Sequence, residues 1–100
     1  MSDHSTVWPF DEPSNVAVYT STHVMRAGLP VLLVTHDDGD GAWQFHYGGD
    51  VEDVDAMIVA LASVLKLHPE LSELADLPYG WKAERESPEH PWVRKPRVDS

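Results

Sequence analysis

A chain of 100 residues with 42% apolar side chains is long enough for one globular core and too apolar for a disordered polymer. It has no cysteine, which excludes disulfides, thiolate nucleophiles and cysteine metal sites. Seventeen acids against seven bases give a net charge of −10, a field that repels nucleic acid and anionic lipid and attracts basic proteins.

The charge is uneven along the chain. Residues 37–76 hold ten acids and one base, Lys66, whereas residues 81–100 hold five bases and four acids. Met1-Ser2-Asp3-His4 lacks the basic and apolar regions of a secretory leader. The longest purely apolar run, Ala56 to Ala62, is far short of a bilayer span. These features predict a cytoplasmic protein without membrane association.

In chain order, residues 1–15 read as a loosely ordered N-terminal arm, from which Trp8 and Phe10 need apolar cover. Val16–Thr20 is rich in β-branched and aromatic residues and predicts a strand. Ser21 is placed to cap a short helical turn over Thr22–Ala27 that Gly28 ends. Val31–His36 is a continuous apolar run, as in a central strand shielded on both faces or at least partly on the second. Ala42–Tyr47 alternates, with Trp43, Phe45 and Tyr47 on one side and Gln44 and His46 on the other.

Between these two strands lies Asp37-Asp38-Gly39-Asp40-Gly41, a stretch that invites comparison with a calcium loop. With Gly41 at the sixth position of an EF-hand loop, Asp38 and Asp40 fall on ligand positions. The first position is then His36 and the twelfth is Tyr47, and neither fits. A tight aspartate-glycine hairpin explains the segment instead.

Asp50 is placed to cap a helix running to Leu67, with Glu52, Asp53 and Asp55 near its positive N-terminus. Val54, Ile58, Leu61 and Leu65 keep helical spacing, and Pro69 disfavours continuation through His68. Pro69–Leu74 predicts a second short helix and Trp81–Glu86 a last strand. Pro88, Pro91 and Pro96 make residues 87–100 an irregular tail. The expectation is therefore a single α+β domain over residues 16–86. About four antiparallel strands pack on one main helix and a short second one. Its core candidates are Val18, Val31, Leu33, Trp43, Phe45, Val54, Ile58, Leu61, Leu65, Leu71, Leu74 and Trp81.

Catalytic signals are weak. No serine stands in the G-x-S-x-G setting of a nucleophile elbow. Gly48-Gly49-Asp50 precedes a helix start, but its acidic first turn opposes a phosphate. Six histidines raise the question of a metal, yet no H-x-x-x-H or H-E-x-x-H spacing occurs. The weaker alternative is a metal or small-ligand site built from His36, Asp38 and His46 across the hairpin. No cofactor and no enzymatic activity are expected, and nothing in the sequence sets the oligomeric state.

Gly41-Ala42-Trp43-Gln44-Phe45, then Asp55-Ala56, then the segment from Pro69 to Trp81 carry a resemblance. They resemble small uncharacterised bacterial proteins and, more loosely, an immunity-protein family of polymorphic toxin systems. Those share a hairpin ending near G-x-W-x-F, a following helix and an L-x-x-L-x-D-x-P-x-G segment. The resemblance spans roughly residues 16–86; the proline-rich ends have no counterpart in the immunity family. It implies a binding protein that neutralises a basic, toxin-like partner. On this reading Asp37, Asp38, Asp40, Glu52, Asp53 and Asp55 form the partner-binding surface.

Overall fold

The structure, a computed structural model, describes residues 8–97. Its centre is a six-stranded sheet in the order β4-β1-β3-β2-β5-β6. The strands are β1 (Ala17–Ser21), β2 (Leu33–His36), β3 (Trp43–His46), β4 (Ala56–Ala60), β5 (Trp81–Glu84) and β6 (Val93–Pro96). β1 runs parallel to β3, and every other neighbouring pair is antiparallel. The α+β class is as expected. The sheet differs in being mixed rather than antiparallel, and in having six strands rather than about four.

The four expected strands are all present, within a residue or two of their ends. β2 lies inside the sheet between β3 and β5, the position that suits its apolar run. The hairpin closes where the Asp37 N–H donates to the Ala42 carbonyl at 2.8 Å. Gly41 at φ 72° supplies the left-handed residue the return needs. A short helix α1 (Thr22–Met25) follows β1, although Ser21 makes no side-chain cap bond.

The largest correction concerns the expected helix from Asp50 to Leu67. Its first half is a 3-10 turn, Asp53–Asp55, followed by the strand β4; only Leu61–Leu67 is helical, as α2. Ala56-Met57-Ile58-Val59-Ala60 is apolar at every position, so it satisfies helix and strand periods equally. Pairing along the whole of β1 decides between them, from Ala17 opposite Ala60 to Ser21 opposite Ala56. Two core candidates fail with the helix: Val54 is 85% exposed and Ile58 65% exposed.

The second correction lies in the proline-rich tail, where Val93–Pro96 forms β6 against β5. Arg94 anchors it by donating to the Asp76 carboxylate at 2.6 Å and to the Glu73 carbonyl at 2.8 Å. Just before it, Trp92 lies 4.2 Å under the Arg85 guanidinium.

One face of the sheet is the core. Val18, Val34, Phe45, Trp43 and Ala83 are buried there with Leu61, Val64 and Leu65 of α2. Leu71 and Leu74, from the 3-10 helix Pro69–Leu74 expected at that place, join them with Leu77. Phe10 also belongs to this cluster, so the arm docks on the domain as Trp8 and Phe10 required. Among the expected core residues, Leu33 and Trp81 are half-buried.

Candidate functional site

The opposite face is a row of side chains fixed by strand register: Ile58, Tyr19, Gln44, Thr35, Lys82 and Lys95. Both helices contribute their buried residues to the core cluster on the other side. The uncovered face is therefore open at its margins, with Tyr19 44% and Ile58 65% exposed. Two shallow clefts mark it. One, about 590 Å³, includes Leu33, Glu84, Val93 and Lys95; the other, about 430 Å³, includes Tyr19, Gln44, His46 and Ile58.

The six expected binding carboxylates do not form one patch. Asp37, Asp38 and Asp40 stand at the β2–β3 turn, before β3 begins. Glu52, Asp53 and Asp55 precede β4, whose Ala56 lies opposite Ser21 at the far end of β1. Because β1 runs parallel to β3 with Tyr19 beside Gln44, that end is level with the end of β3. The two trios therefore sit at opposite ends of the sheet.

Nor are all six free of structural work. Asp37 is half-buried, pairs with Arg97 and accepts a hydrogen bond from Gln44 Nε2 at 3.1 Å. The Asp40 carboxylate accepts the Ala42 N–H at 3.0 Å and so builds the turn. Asp55 accepts the Thr22 hydroxyl at 2.9 Å, tying the approach to β4 to the start of α1. Asp38, Glu52 and Asp53 are exposed and take no ion pair among the described residues.

The metal alternative fares differently. His36 points into the core, stacked on Trp43 at 3.9 Å between ring centroids, and its Nδ1–H donates to the Leu77 carbonyl at 2.7 Å. Its Nε2 faces the Glu12 carboxylate at 3.4 Å. His46 lies on the other face, bonded through Nε2 to Gln44 Oε1 at 2.9 Å. The sheet itself separates the two imidazoles, and among the described residues no three acidic or histidine side chains are placed to hold a metal ion.

A polar chain crosses the open face instead. Arg97 donates to Asp37, Gln44 Nε2 donates to the same carboxylate, and His46 donates to Gln44 Oε1. Sequence reading gave Asp37 no such role, because its partner Arg97 is sixty positions away. Burial lowers the His46 pKa below its ordinary 6.5, with the Asp37 charge opposing that shift in part. The folded state thus prefers neutral His46. Between the lowered pKa and 6.5 the unfolded chain binds more protons, so stability is intact above that window and declines as pH falls through it. His46→Gln is expected to flatten the decline in melting temperature below pH 6.5, followed by circular dichroism. An unchanged slope would show that other groups set it.

Carboxylates elsewhere are held below their usual range by cationic neighbours. Asp76 is lowered chiefly by the hydrogen bond from Arg94, and Glu84 chiefly by that from Lys82. Both are at the surface, where such pairs stabilise little. Their larger effect is on charge distribution. Five of the seven lysines and arginines pair with the chain's own carboxylates: Lys82, Arg85, Arg94, Lys95 and Arg97.

Comparison with protein-family models, curated proteins and solved structures finds no match in any of the three. Among the described residues, no helix is long and apolar enough to cross a membrane.

Proposed function

We propose that the protein is a non-catalytic interaction module that binds a basic protein partner, in the manner of the immunity proteins it resembles. The observation that carries this reading is where its cations sit. Lys82, Arg85, Arg94 and Lys95 lie against carboxylates on and around β5 and β6, and Arg97 offsets Asp37 at the hairpin. The turn ahead of β4 keeps its charge. There Glu52 and Asp53 are exposed beside Val54, itself 85% exposed, so an apolar contact point is set among carboxylates. Unpaired surface carboxylates speed encounter with a basic partner by complementary charge.

The reading ranks the two acidic ends, with the β4 turn dominant and the hairpin tip secondary. Capture from a lysate of the host, identification of the retained protein and titration of the purified pair would test it. Glu52→Gln with Asp53→Asn is expected to weaken binding roughly tenfold at low salt. Asp38→Asn with Asp40→Asn is expected to do less, and affinity should fall as ionic strength rises. Equal affinity for both double variants and the native chain, with no salt dependence, would sink the proposal.

A further inference from the structure

The two edges of the sheet differ in kind. β6, Val93-Arg94-Lys95-Pro96, carries two cations and a proline, devices that stop an edge from pairing with another chain. β4 at the other edge, Ala56-Met57-Ile58-Val59-Ala60, has none of them. It has no charge, no proline and no glycine, and Ile58 at its middle is 65% exposed.

The backbone of β4 is phased for pairing. Leu61 N–H donates to the Val16 carbonyl at 2.9 Å, in the same register that sets Ile58 opposite Tyr19. Hydrogen-bonded and non-bonded pairs alternate along an antiparallel ladder, so Met57 and Val59 turn their N–H and C=O groups to β1. Ala56, Ile58 and Ala60 turn theirs outward. Two of those outward groups are already used within the chain. Ala56 N–H donates to the Asp53 carbonyl, and the carbonyl of Ala60, the N-cap of α2, takes the first bond of that helix.

Among the described residues, what remains without a partner is the Ala56 carbonyl, both groups of Ile58 and the Ala60 N–H. This set is its own complement under a two-fold axis at Ile58. Ile58 and its copy exchange both bonds, and each Ala60 N–H meets the Ala56 carbonyl of the other chain. The side chains match as well, because Ala-Met-Ile-Val-Ala reads almost alike in both directions. Alanine meets alanine, Met57 meets valine, and Ile58 meets itself.

We propose that the protein pairs with a second copy of itself through β4, antiparallel about a two-fold axis at Ile58, so that two six-stranded sheets become one continuous sheet. The net charge of −10 opposes self-association in general but falls lightly on this junction. Asp55 lies opposite Leu61 of the partner subunit, and the two Asp55 side chains are about 20 Å apart along the strands. That exceeds the Debye length of about 8 Å at physiological salt. Exposed Ile58 gains cover, and a β-branched pair directly opposite on an antiparallel ladder adds to the pairing.

Sedimentation equilibrium of the full chain tests this. A reversible dimer is expected, with a dissociation constant of about 1–100 µM for so short an edge. Ile58→Lys and Ile58→Glu, each alone, place like charges face to face on the axis and should be monomeric at about 100 µM. Mixed in equal parts, the two should form a heterodimer. A monomeric native chain at that concentration would overturn the proposal, as would single variants that dimerise like the native chain. A mixture that stays monomeric would rule out the axis at Ile58. A readout free of substitutions is amide exchange in the native chain. Ile58 and Ala60 N–H should gain protection as concentration rises, and protection that does not depend on concentration overturns the pairing.

Discussion

Trp43→Ala is expected to lower the free energy of unfolding by about 3–5 kcal/mol, the cost of removing a fully buried aromatic and leaving a cavity. Trp43 is 1% exposed at the start of β3. It stacks on His36, takes the edge of Phe10 at 5.1 Å and lies near-parallel to Phe45 at 6.0 Å. Its loss therefore unsupports the arm, β2 and β3 together. A domain of this size has about 5–15 kcal/mol in all, so the variant should be close to unfolded at moderate temperature. In a thermal melt the drop should be about 15–30 °C. Trp43→Phe should cost much less, because the indole N–H makes no hydrogen bond among the described residues and phenylalanine keeps most of the apolar area. Urea denaturation of the three proteins checks both statements. Losses below about 1 kcal/mol for the alanine variant would show that this packing is not the centre of the core.

The second large effect is expected from Phe10, which lies ahead of the expected domain of residues 16–86. Phe10→Ala should destabilise by about 3 kcal/mol, since Phe10 is 5% exposed in the core cluster. Substitution in a loosely held arm would change stability by no more than about 0.5 kcal/mol. The surrounding arm is also held by Trp8, whose indole N–H donates to the Glu12 carbonyl at 2.6 Å, and by Glu12 beside His36. By the same argument, a fragment of residues 16–86 lacks both Phe10 and β6 and should show a broad, low-temperature transition. A fragment as stable as the full chain would mean that neither end contributes to the core.

Self-pairing and partner binding respond to salt in opposite directions, which makes ionic strength a useful axis for both. Screening the charge of −10 should tighten pairing between two like-charged chains. The same screening should weaken contact between the acidic β4 turn and a basic partner. Measured on one preparation, the two trends show which association a given complex represents.

Local pattern made much of this protein legible. The α+β class, the aspartate-glycine hairpin, the alternation that buries Trp43 and Phe45, and the short 3-10 helix after Pro69 each follow from turn chemistry and side-chain period. These interactions lie within a few residues of one another, so the sequence carries them directly. The excess of acids over bases is likewise a property of composition alone.

What tertiary structure decided was everything that depends on distant partners. A run as uniformly apolar as Ala56 to Ala62 carries no period, and only the free side of β1 makes its first part a strand. Val93 to Pro96 becomes β6 because β5 offers a ladder and Asp76 an anchor for Arg94. The parallel pairing of β1 with β3 sends the two acidic trios to opposite ends, and the sheet between His36 and His46 keeps those imidazoles apart. Asp37, which in sequence is one of three similar aspartates, is distinguished only when Arg97 reaches it across the fold. Local sequence sets period and turn chemistry; it does not say which strand lies beside which, and here that adjacency fixes which charges meet, which apolar residues stay exposed and which strands, among the described residues, form the edges.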